Sequence, residues 1–103
     1  DVIVERVKTV LEMHPKNFKV DIKITSDSGS VRFLYRKKYY RDVDFVAFYS
    51  PQERTIYISA DDAKSRILAH ELAHAVIDQF FGVATPVKIH ELLAQYADEN
   101  FEE

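Results

Sequence analysis

The chain has no cysteine and no tryptophan, only two glycines and three prolines, and no surplus of basic charge. Without cysteine there is neither a disulfide framework nor a thiolate metal site. Any transition-metal centre must therefore draw on His, Asp or Glu. A formal net charge of -3 gives no general pull toward nucleic acid or an anionic membrane. No apolar run approaches the length of a membrane span, and no secretory leader is evident. Linkers, repeats and low-complexity stretches are missing as well. Together these absences lead us to expect a soluble, cytoplasmic domain with neither a nucleic-acid nor a membrane partner. The first residue is Asp1, as expected of a processed or trimmed chain.

What is present is globular in character. Hydrophobic residues make up 47%, charged residues 30% and aromatic residues 13% of 103 positions. That length suits one domain, residues 1–103, with a core modest enough for a bound metal to add to its stability.

Ile3, Val7, Val10 and Leu11 mark a helical stripe over Val2 to Met13, closed by Pro15. Phe18 to Thr25 alternates apolar and polar, the pattern of a half-buried strand, and 26–30 reads as a turn or loop. Residues 31–40 fit either a strand or an irregular connection. Val43 to Tyr49 and Thr55 to Ser59 form a predicted hairpin across 50–54. Asp61 or Asp62 is expected to cap a long helix that runs to about Phe81 and stops at Gly82. Pro86 opens a last helix reaching about Phe101. The order predicts an α+β fold: an N-terminal helix, a small, mostly antiparallel sheet of about three strands, then two helices.

The chemistry concentrates in His70-Glu71-Leu72-Ala73-His74. Four residues along a helix turn a side chain by about 40°, so both imidazoles project from one side and can reach one Zn²⁺ at about 2 Å. Glu71 stands where its carboxylate reaches a water held by the metal. By composition alone the chance of this pentapeptide in such a chain is well under about 1%. The bland alternative is a surface helix that happens to carry two histidines. A catalytic zinc takes three protein ligands and keeps one position open. The third ligand must come from elsewhere in the chain: ten residues after His70 stands Phe80, and in the last helix periodicity alone does not separate Glu91 from His90.

His70-Glu71-x-x-His74 followed by Glu91-Leu92-Leu93-Ala94-Gln95-Tyr96 resembles the gluzincin clan of metallopeptidases, in which a glutamate on a following helix completes the site. The chain as a whole, from Val2 to Glu103, is similar to the small soluble members of that clan, the minigluzincins. The resemblance implies a zincin-like domain with Glu91 as third ligand, ahead of His90. It departs from the thermolysin-like pattern at Gln95, where an aspartate would brace a histidine. Asp98, seven residues after Glu91 on the same side, is the candidate brace; otherwise it is a solvated carboxylate.

The expected activity is peptide hydrolysis at one Zn²⁺. Zinc would lower the pKa of a bound water toward about 7, and Glu71 would serve as general base and then acid. Tyr49, Tyr57 and Tyr96 are oxyanion candidates by chemistry, although strand and helix tyrosines more often pack. By similarity to zincins, a peptide or protein substrate would pair with the strand Val43 to Tyr49 as an extended chain. The minigluzincin likeness further implies that the acidic end, 98–103, could fold over the cleft and hold the enzyme latent. The basic-aromatic run 36–41 resembles a single-strand nucleic-acid groove but reads more simply as a solvated segment. A zinc-stabilised binding domain without catalysis is the second functional reading.

Overall fold

The computed structural model describes residues 2–39, 46–82 and 86–100. At its centre lies β3 (Thr55–Ser59), whose five residues are all buried. β2 (Ala47–Ser50) pairs with it antiparallel, Phe48 opposite Tyr57, across a tight turn in which Arg54 adopts a left-handed φ of 51°. β1 (Asp21–Thr25) lies on the other side of β3 and runs parallel to it, Ile22 beside Ile56, so the sheet is mixed, in the order β1-β3-β2. The connection containing helix α2 (Ser28–Tyr39) leaves β1 and enters β2 at the same end of the sheet, so β2 runs opposite to β1, and the hairpin reverses the chain once more to make β3 parallel to β1.

That helix occupies the segment the sequence left open between strand and irregular connection. The Asp27 carboxylate accepts hydrogen bonds from the Ser30 N–H (2.9 Å) and hydroxyl (3.1 Å), so the expected loop at 26–30 is a helix cap and first turn. Val31, Leu34 and Tyr35, at helical spacing, pack on Phe48 and Tyr57 and cover one face of the sheet.

The other face carries α1 (Val2–Leu11), α3 (Ser65–Phe81) and α4 (Val87–Asn100), gathered around Val7, Ile56, Leu72 and Val76. Phe18 and Val20 also pack there, whereas Ile22 and Ile24, farther along edge strand β1, stay 38% and 65% exposed. Neither Asp61 nor Asp62 caps α3. They lie in a 3₁₀ turn (Ala60–Asp62) begun by Ser59, whose hydroxyl accepts from the Asp61 N–H, and α3 starts beyond it at Ser65 with Lys64 as a cap lacking a side-chain bond. The helix ends as its glycine predicts, with Gly82 at φ 71° and its N–H bonded to Asp78 O. Among the described residues no helix is long and apolar enough to cross a membrane. Residues 43–45 of the expected first hairpin strand and 101–103 of the C-terminal segment lie outside the described residues.

Candidate metal centre

The centre exists because α3 and α4 approach closely. Ala69 and Ala73 of α3 and Ala94 and Ala97 of α4 are fully buried in the core that joins the two helices, and side chains this small let helix backbones come near. Leu72 and Val76 anchor α3 on the sheet side, which leaves His70 and His74 facing α4.

Glu91, in the second turn of α4, meets both rings. His70 Nε2 lies 3.2 Å from one carboxylate oxygen, and His74 Nε2 lies 3.3 Å from the other. Two donors about 2.05 Å from one ion at a tetrahedral angle stand about 3.3 Å apart. Each histidine-to-glutamate distance has that length, to a different carboxylate oxygen, and one ligand atom from each of the three residues lies within 4.8 Å of the others. These three form the one such group of His, Asp and Glu among the described residues, and they could hold a divalent metal ion.

Asp98 stands two turns after Glu91 on the same side of α4, and it is not a free carboxylate. Its Oδ2 accepts from His70 Nδ1 at 2.6 Å, and its Oδ1 accepts from Arg66 Nε at 3.2 Å. The bond leaves His70 Nε2 as the nitrogen that faces Glu91. Arg66, one turn before His70, also reaches Glu99 at 3.7 Å. It went unnoticed in the sequence, although an arginine at i−4 on the histidine side of a helix was a readable signal.

His90 does not face the ligand oxygens. Its Nδ1 lies 2.7 Å from His74 Nδ1, the nitrogen turned away from Glu91, and the two rings meet edge to edge with planes 25° apart and centroids 4.8 Å apart. Burial drives the His74 imidazole down to about 4, against the attraction of Glu91, so the ring is neutral at physiological pH, the form that binds metal. His70 moves the other way. Burial opposes its charge, but the Asp98 hydrogen bond and the Glu71, Glu91 and Asp98 carboxylates outweigh that and raise its pKa.

Glu71 lies beside the cluster, facing β2. Burial pushes its carboxyl up to about 7; His70 draws it down, Glu91 raises it further, and the Tyr49 backbone N–H bonds the ionised form. A carboxyl titrating near neutrality can take and return a proton, and a cation close by would lower it again.

Among the three tyrosines considered for an oxyanion role, Tyr57 lies on the α2 side of the sheet with its hydroxyl on Glu53, and Tyr96 is 53% exposed on α4. Tyr49 lines the cleft, but its hydroxyl donates to Asp78 at 3.0 Å, and burial pushes its pKa up to about 12. The cleft itself, about 860 Å³, runs between β2 and the α3–α4 pair, with His70, Glu71, His74 and Glu91 along one wall and Val46, Ala47 and Phe48 along the other. Residues 36–39 of the basic-aromatic run belong to α2, and residues 40 and 41 lie outside the described residues. Compared with models of protein families, with curated proteins and with solved structures, the chain matches none.

Proposed function

We propose that the chain is a minimal zinc-dependent peptidase of the gluzincin type, with His70, His74 and Glu91 as ligands and Glu71 as general base and acid. The observation that carries this reading is the convergence of two imidazole Nε2 atoms on the two oxygens of one glutamate, 3.2 and 3.3 Å away, with a half-buried carboxyl on the residue after His70 in the same helix turn. Bound there, zinc supplies Lewis acidity that lowers the pKa of water toward about 7 and polarises a carbonyl.

The chain's own groups do the rest. Asp98 holds His70 in the tautomer that presents Nε2. Glu71 takes a proton from the attacking water and delivers it to the departing amine. The Tyr49 N–H, pointing at Glu71 from β2, orients that carboxylate. β2 is the sheet strand nearest the cluster and forms the opposite wall of the cleft, which suits an extended peptide aligned along it.

A peptide digest by zinc-replete protein, with and without chelator, tests the reading. Glu71→Gln should lower cleavage by about two to four orders of magnitude while leaving zinc bound. Cleavage unchanged in that variant refutes the assignment of Glu71. Tight zinc binding with no cleavage by the wild type favours instead a zinc-stabilised binding domain. Removal of residues 101–103 should raise activity if the acidic end holds the enzyme latent.

A further inference from the structure

The geometry points to His90 as the residue that positions His74 for the metal, by accepting its Nδ1 proton, rather than as a ligand. This rests on the metal centre proposed above. The two Nδ1 atoms are 2.7 Å apart. As ligands of one ion about 2.05 Å from each, they would force the angle at the metal to roughly 80°, well short of tetrahedral. At 2.7 Å two ring nitrogens also cannot both present lone pairs. One proton must lie between them.

Which nitrogen owns that proton is decided on the far side of the ring. His74 Nε2 faces Glu91 at 3.3 Å and is the atom that joins the candidate ligand group. An imidazole that gives Nε2 to a metal keeps its proton on Nδ1. His74 Nδ1–H therefore donates, His90 Nδ1 accepts, and His90 carries its own proton on Nε2. The neutral tautomer of one histidine fixes that of the other.

The helix makes this arrangement natural. The His90 N–H is bonded to Pro86 O at 3.0 Å, so the residue sits in the first closed turn of α4. Consecutive helical residues point about 100° apart. His90 and Glu91 thus straddle the His74 ring, the glutamate reaching Nε2 while the histidine reaches Nδ1. The ring planes lie only 25° apart, with centroids 4.8 Å apart, so the in-plane Nδ1–H of one ring can meet the in-plane lone pair of the other. The requirement is an acceptor at this point, which Asn can supply through its amide oxygen and Phe cannot.

The test uses the full chain and zinc itself, in competition with a chromophoric chelator. His90→Phe keeps the ring but loses the acceptor, and should weaken zinc binding by about 10–100-fold. His90→Asn should stay within a few-fold of the wild type. The absorption of the cobalt(II)-substituted protein should keep its tetrahedral signature in both variants, since no ligand is lost. In zinc-loaded wild type, long-range proton–nitrogen NMR correlation should find the His90 proton on Nε2, a result that does not depend on either variant folding. Equal zinc affinity in His90→Phe overturns the inference, as does a cobalt spectrum showing a lost ligand, or a proton on His90 Nδ1. A wild type that binds no zinc defeats the metal centre itself, and the inference with it. A wild type that binds zinc and is indifferent to His90→Phe defeats the inference alone.

Discussion

His70 and His74 leave the same helix one turn apart and point at the same glutamate, yet they are held in different ways. Around His70 the partners are charged: Asp98 accepts its Nδ1–H and is itself bound by Arg66, whose side chain is 65% exposed. Around His74 the partner at Nδ1 is a second imidazole, uncharged as a hydrogen-bond acceptor, which meets it edge to edge in a drier setting. The pKa directions follow, upward for His70 and down to about 4 for His74. A carboxylate partner makes an imidazole a stronger base and also lets a proton compete for it. A neutral partner orients the ring without adding another negative charge beside Glu71 and Glu91. One flank of the centre is set by electrostatics at the cleft rim, the other by packing and tautomer.

The largest effect should come from removing either ring. Zinc at a thousand times the wild-type dissociation constant stabilises a folded protein by about 4.1 kcal/mol through mass action. His70→Ala and His74→Ala should each lose that gain, read as the difference in thermal unfolding with and without zinc. A variant that keeps the full zinc-dependent gain would show that its ring is no ligand, and the comparison between flanks would collapse. Next in size is the charged brace. Asp98→Ala should weaken zinc binding by about 10–100-fold, and Asp98→Asn by less, because an amide oxygen still accepts from His70 Nδ1. Chelator competition measures both. Equal affinities for Asp98→Ala and wild type would mean that the 2.6 Å bond contributes nothing to the centre.

How much of this was legible beforehand depends on the range of the interaction concerned. His70, Glu71 and His74 were readable because a helix fixes their relation within five residues, and Asp98 because a seven-residue step returns to the same side. The choice between Glu91 and His90 was not readable from periodicity. Adjacent helical residues differ by 100°, and which one meets Nε2 depends on how closely Ala94 and Ala97 let α4 approach α3. The helix α2 escaped notice because Phe33, 65% exposed, interrupts the apolar pattern of Val31, Leu34 and Tyr35, and because its cap, Asp27, stands in a run that reads as a loop. The direction of β1 was hidden because it depends on the end of the sheet at which the chain enters β2, a long-range relation that no local pattern carries. The start of α3 was misplaced because Asp61 and Asp62 have the chemistry of a cap, but a serine just before them takes the turn first.

The smallest predicted effect is the sharpest probe of the charged flank. Arg66 touches no candidate ligand; it reaches the centre only through Asp98, at 3.2 Å, from a largely exposed position. Exposed ion pairs contribute at most about 1 kcal/mol, so Arg66→Ala should weaken zinc binding by no more than about fivefold. Salt screens exposed charges, and the deficit should shrink as ionic strength rises toward 1 M. Fold stability should not follow the same course. A positive side chain in the first turn of α3 opposes the helix dipole, and alanine is the better helix former, so apo stability should hold steady or rise slightly. Affinity and stability moving in opposite directions, with only the first responding to salt, would mark Arg66 as an outer support of Asp98. A salt-independent loss as large as that of Asp98→Ala would instead place the guanidinium inside the His70 network, and the two flanks of the centre would no longer differ in how they meet solvent.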